Sequence, residues 1–141
     1  MLEARMSFYP FNIMFLLFLL LLTSCSSSAQ DAGFADVRPG GLAEFLETNN
    51  AVIIDVRTPR EWDGGKVETA LTINLSHRGF NDAIAELDRD VTYLVYCNSG
   101  NRSRIASARM VNMGFKNVYN YDGSHFQIRR EYEELRNHQS R

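Results

Sequence analysis

The sequence holds only two cysteines among its 141 residues, Cys25 and Cys97. That is too few for a disulfide-built scaffold; in an exported chain they could form one bridge, but each sits in a motif that accounts for it alone. A zinc-type ligand set is also missing, because His77, His125 and His138 are scattered and Cys97 has no second cysteine near it. No metal and no cofactor are expected. Basic residues are not in excess: 15 Lys and Arg stand against 17 Asp and Glu, for a formal charge of −2. They are interspersed with acidic ones from Phe34 onward, which excludes the concentrated basic face that nucleic acid requires. No internal repeat is visible. The longest apolar run, Phe11 to Leu22, falls short of the roughly 20 residues that a membrane-spanning helix needs.

That run has instead the length of a signal-peptide core, and polar residues resume at once with Thr23-Ser24-Cys25-Ser26-Ser27-Ser28. The segment before it is weakly charged, since Glu3 offsets Arg5, and Met6 is an alternative start. Leu22-Thr23-Ser24-Cys25 resembles the lipobox of bacterial lipoproteins. The resemblance implies cleavage before Cys25, acylation of its thiol and anchoring to a bacterial membrane on the periplasmic or outer side. An ordinary secretory signal is the alternative. Several acyl chains hold a protein on a membrane where one chain would not. Ser26–Gly33 is small and polar, as a flexible tether is, and by the same resemblance Ser26 favours outer-membrane sorting. The expected organisation is a signal peptide over 1–24, a lipidated cysteine and tether over 25–33, and one globular domain over 34–138. A domain of that length can bury a core of its own.

Within the domain, short apolar runs alternate with helical patterns. Leu42, Phe45 and Leu46 share one helix face, and Val52–Ile54 reads as a buried strand ending at Asp55. Leu71–Leu75 is a weaker strand. Phe80, Ala83, Ile84 and Leu87 mark an amphipathic helix. Val91–Tyr96 is apolar on both pleat faces, as an interior parallel strand requires. A helix over Ser103–Asn112 stops at Gly114, a strand follows over Asn117–Tyr121, and a last helix runs from Phe126 to Asn137 with Ile128, Tyr132 and Leu135 inward. His138–Arg141 reads as a frayed tail. The alternation predicts an α/β domain with a mainly parallel sheet of about five strands and helices on both faces. Ligands bind such sheets beyond the carboxyl ends of the strands, where Asp55 and Cys97 both lie.

Cys97 ends the strongest strand and precedes a helix, through Asn98-Ser99-Gly100-Asn101-Arg102. Unpaired N–H groups and the dipole at a helix N-terminus favour an anion, so a thiolate there has a depressed pKa. Gly100 lets several N–H groups converge into a nest, and Arg102 adds a positive charge. Together they suit nucleophilic sulfur chemistry. The competing reading is that Cys97 is a small apolar core residue.

Three motifs make the resemblance specific. Ile54-Asp55-Val56-Arg57-Thr58-Pro59-Arg60-Glu61-Trp62 resembles the first signature of the rhodanese family. Cys97 to Ser103 is similar to its active loop, and Met113-Gly114-Phe115-Lys116-Asn117-Val118 to the entry of its last strand. They stand in the family's order and cover most of Phe34 to Asn137. The resemblance implies a rhodanese-like three-layer fold and a sulfurtransferase that works through a persulfide on Cys97. Its donor would be thiosulfate or a persulfide and its acceptor a thiol or cyanide. Backbone N–H groups from Asn98, Ser99, Gly100, Asn101, Arg102 and Ser103 would cradle the anion. Arg102 would orient the donor's oxygens with its forked donors. Arg57 is placed with this anion-binding set and Asp55 as its structural support; the alternative is that both only brace adjacent loops. Trp62 reads as packing, and Lys66 and His125 as exposed residues without a role.

Two places depart from the family pattern, Gly65–Ala70 and Gly123-Ser124-His125-Phe126, and they put pocket shape and donor choice in doubt. A related cysteine phosphatase or arsenate reductase fits less well. Its arginine stands six positions after the cysteine, where this chain has Ser103. A non-catalytic rhodanese-like module for binding, sulfur carriage or redox sensing remains the alternative of a different class.

Overall fold

The computed structural model describes residues 33–141. The expected signal peptide, Cys25 and the tether up to residue 32 lie outside the described residues. The elements run β1 (Ala35–Val37), α1 (Leu42–Asn49), β2 (Val52–Asp55), α2 (Pro59–Asp63), β3 (Leu71–Thr72), α3 (Phe80–Ala85), β4 (Thr92–Tyr96), α4 (Asn101–Asn112), β5 (Asn117–Tyr121) and α5 (His125–Gln139). All five strands are parallel, in the order β1-β5-β4-β2-β3. No helix among the described residues is long and apolar enough to cross a membrane.

β4 lies at the centre, and its alternation builds both cores. Tyr93, Val95 and Cys97 join Ile54, Val56, Ala106, Met110, Phe80 and Ile84 under α3 and α4. Leu94 and Tyr96 join Ile53, Leu42, Tyr121 and Ile128 under α1 and α5. Successive side chains point to opposite faces, so a strand covered on both sides must be apolar at every position. Burial of each large apolar side chain contributes about 1.5–3 kcal/mol.

Several boundaries differ from those the sequence predicts. β1 is three residues long, too short to show a periodicity. α2 is set by a capping box: Thr58 N–H and Oγ1–H both donate to Glu61 Oε2, at 2.9 and 2.7 Å, and Pro59 takes the first turn. β3 is shorter than Leu71–Leu75, because Asn74 Oδ1 accepts from Ser76 N–H at 2.9 Å and turns the chain away. α3 stops at Ala85, short of Leu87. α4 begins two residues early at Asn101, and the chain turns after it through Gly114, at φ +91°. α5 begins at His125 behind its own capping box, Ser124 with Gln127. It continues through His138 to Gln139, so the first two residues of the expected tail are helix; i,i+4 pairs Arg129–Glu133 and Arg130–Glu134 support its outer face.

Candidate active site

Cys97 is the first residue after β4, with 1% of its surface exposed. The chain then needs only three residues to reach α4, because Gly100 turns it at φ +86°, ψ −24°. That left-handed conformation strains any side-chain-bearing residue. Gly100 O accepts Arg104 N–H at 3.1 Å, the first bond of the helix. This tight turn folds the start of α4 back over the sulfur.

The consequence for Cys97 is electrostatic. Burial alone would push its thiol pKa up, but the Ser103 hydroxyl and the N–H groups of Ser99, Ser103 and Arg102 outweigh it and bring the value down. Ser103 Oγ lies 3.5 Å from Sγ and 2.9 Å from Gly100 O. Its one proton serves the carbonyl or the sulfur, and a thiolate is the stronger claim. The site thus favours a sulfur anion with dipoles fixed before any substrate arrives.

The sequence-predicted residues fall into three groups. Ser99, Arg102 and Ser103 aim N–H groups at the sulfur. Asn98, Ser99 and Asn101 expose their side chains, and Asn98 gives its carbonyl to His125 N–H at 3.2 Å. Arg102 stands beside Cys97; the Glu61 carboxylate first, and the Cys97 sulfur after it, favour its charged form. Its guanidinium is also held from the far side. Nη1 donates to Glu61 Oε2 at 2.8 Å and Nη2 to Oε1 at 2.6 Å, a bidentate pair about 30% exposed. Arg102, helped by the Thr58 hydrogen bonds and working against burial, sets the Glu61 carboxyl far below the usual carboxylate range.

Arg57, expected with the anion-binding set, is held by Asp55. It is 2% exposed, and its Nε and Nη2 both donate within the protein. Nε donates to both Asp55 oxygens at 3.0 Å, and Nη2 donates to Asp55 Oδ2 at 2.7 Å and Gly65 O at 2.8 Å. A donor could claim its charge only by leaving Asp55 buried and unpaired, which is costly. Asp55 also accepts Tyr96 O–H at 2.5 Å, and Tyr96 Oη accepts Val67 N–H at 3.1 Å. Arg57 and Asp55 are therefore a brace beneath the loop.

His125 corrects an expectation. It is buried, not exposed, with its ring stacked against Tyr96 and Nε2 3.0 Å from Gly65 O. Burial, with the positive Arg57 nearby, lowers its pKa, so the neutral ring donates to that carbonyl. Lys66 spends its ammonium on the carbonyls of Glu68 and Ala70. Trp62 packs as expected, in a cleft of about 300 Å³ with Pro59, Ile73, His77 and Phe80. The residue that sequence reasoning missed is Glu61. Its signal was present in the Thr58-x-x-Glu61 capping spacing, though its partner lies 41 positions away.

Residues 38–131, most of the described fold, match the Rhodanese-like domain family. The chain belongs to that family. It is 34% identical over 85 residues to thiosulfate sulfurtransferase GlpE of Pseudomonas syringae, covering 60% of this chain and 78% of the relative. It is 37% identical over 78 residues to the GlpE of Pseudomonas entomophila, covering 55% and 70%. A rhodanese-related protein from Thermoplasma volcanium superposes with a TM-score of 0.57 at 26% identity, covering 70% of this chain and 92% of that one. This rhodanese is a sulfurtransferase of the type its GlpE relatives represent, and its five-stranded parallel sheet is the fold of its structural neighbours.

Proposed function

We propose that this rhodanese is a membrane-tethered sulfurtransferase that carries sulfane sulfur on Cys97. The observation that carries the reading is the convergence of three N–H groups and the Ser103 hydroxyl on a buried sulfur. The Cys97 thiolate attacks the outer sulfur of thiosulfate or of a persulfide. The sulfur–sulfur bond breaks, and its electron pair leaves with sulfite or with the donor thiolate. The product is a Cys97 persulfide anion, which the same dipoles stabilise. An acceptor thiolate or cyanide then takes the outer sulfur and returns Cys97 as thiolate. No oxidant and no cofactor enter either half-reaction.

The tether follows from the Leu22–Cys25 motif. Acyl chains on Cys25 would leave eight residues, Ser26–Gly33, before the fold, a reach of about 27 Å when extended.

Thiocyanate formation from thiosulfate and cyanide should be lost in Cys97→Ser, and wild type should gain roughly 32 Da on Cys97 after donor alone. Absence of both signals with thiosulfate and with persulfide donors would remove the enzymatic reading. Cells fed labelled palmitate should label the wild-type protein and not Cys25→Ala; an unlabelled wild type would remove the lipid anchor.

A further inference from the structure

Among the described residues, three arginines near the loop, Arg57, Arg102 and Arg104, are each paired with a carboxylate. Arg57 is buried on Asp55. Arg104 Nη2 lies 3.0 Å from Asp36 Oδ2 and 3.5 Å from Asp122 Oδ1, one cation against two carboxylates. Asp122 reaches the loop itself: a Cβ added to Gly100 would lie 3.5 Å from Asp122 Oδ1. Arg102 alone stands beside the sulfur, and Glu61 cancels its charge through two hydrogen bonds. Glu61 cannot swing aside, because the N–H and hydroxyl of Thr58 fix Oε2 in the cap of α2. These three arginines face four carboxylates, Asp55, Glu61, Asp36 and Asp122, so the paired groups offer no surplus positive charge to set against the Cys97 thiolate. Thiosulfate then brings two more negative charges.

We propose that Glu61 is a specificity-determining residue: by neutralising Arg102 beside Cys97, it selects singly charged sulfane-sulfur donors over dianionic ones. The proposal rests on Cys97 being the nucleophile. Methanethiosulfonate anion, CH₃SO₂S⁻, is the matched probe, since it replaces one charged oxygen of thiosulfate by a methyl group. Both donors react alike. The thiolate bonds to the sulfane sulfur, and the electron pair of the cleaved sulfur–sulfur bond leaves with sulfite or with methanesulfinate. Three negative charges gather in the first case and two in the second. Like charges brought within several ångströms of each other in a partly screened site separate two such donors by roughly three- to tenfold.

The experiment measures kcat/KM for both donors, with cyanide as acceptor, on the full-length chain in detergent micelles. In Glu61→Gln the amide oxygen can keep the Thr58 cap while the charge is lost. The thiosulfate-to-methanethiosulfonate ratio should rise by roughly three- to tenfold. Glu61→Asp, which keeps the charge, should leave the ratio close to wild type. A purely structural role would slow both donors together and leave the ratio flat, and a flat or falling ratio overturns the proposal. Wild type offers an independent reading should the variant misfold. Added salt should raise the same ratio by screening the repulsion, and a decrease would equally overturn the proposal. If neither donor leaves a persulfide on wild-type Cys97, the sulfur-transfer reading itself fails. Persulfide from both donors with an unmoved ratio removes only the role of Glu61.

Discussion

Two arginine–carboxylate pairs flank the loop, and they differ mainly in how far each is withdrawn from water. Asp55 and Arg57 are both almost completely buried, two residues apart at the end of β2, with every strong contact made inside the protein. Glu61 and Arg102 bring together α2 and α4 and stay about 30% exposed. A buried pair resists any change that would strand one partner, so it serves as a fixed brace. A half-exposed pair contributes little to stability but remains within reach of a substrate. The same pairing of arginine with a carboxylate thus takes opposite roles.

The comparison can be broken most directly at the brace. Asp55→Ala leaves Arg57 buried without its partner and should lower unfolding free energy by about 3–5 kcal/mol in a urea titration. A loss below about 1 kcal/mol, the range of exposed pairs, would erase the distinction. Arg102→Ala tests the other pair and should cost about 1 kcal/mol or less in the same titration. It should nevertheless cut kcat/KM for an anionic donor by about tenfold, because it leaves Glu61 facing the donor uncompensated. A large stability loss with little kinetic effect would invert the assignment.

Ser103→Ala gives the smallest expected change and sharpens the account of the sulfur itself. Alkylation of wild-type Cys97 by iodoacetamide should rise with pH to a midpoint below the ordinary thiol value of about 8.5. The sign follows from the lowered pKa: the reactive thiolate is already formed at pH values where a free cysteine is still protonated. Removing the Ser103 hydroxyl takes away a donor to that thiolate, so the midpoint should move upward. An unmoved midpoint would leave the backbone N–H groups as the whole cause.

The sequence made the centre of the fold legible, because β4 must be apolar on both faces to be covered by helices on both sides. It likewise placed Cys97 where a strand hands over to a helix. What it did not make legible were the partners. Whether Arg57 faces substrate or Asp55 depends on Gly65, Tyr96 and His125, which arrive from three other parts of the chain. A histidine beside an exposed phenylalanine, His125–Phe126, has no local pattern that says it is buried. The Glu61–Arg102 contact spans 41 positions, beyond the range of any helical or strand spacing. Local order comes from periodicity and capping, whereas the assignment of charges is a product of tertiary packing.

Tyr96 and Cys97 are adjacent residues, and each is rooted in a different one of the two cores. The reactive turn is therefore pinned through both layers at its first residue, while Asn98, Ser99 and Asn101 face solvent with their side chains. The anion cradle is made largely of main chain, which every amino acid except proline supplies. Exchanges at those three positions can reshape what meets the mouth of the site without touching either core. Heredity can thus retune the choice of substrate at little risk to folding, and the nucleophile and its backbone cradle stay where they are.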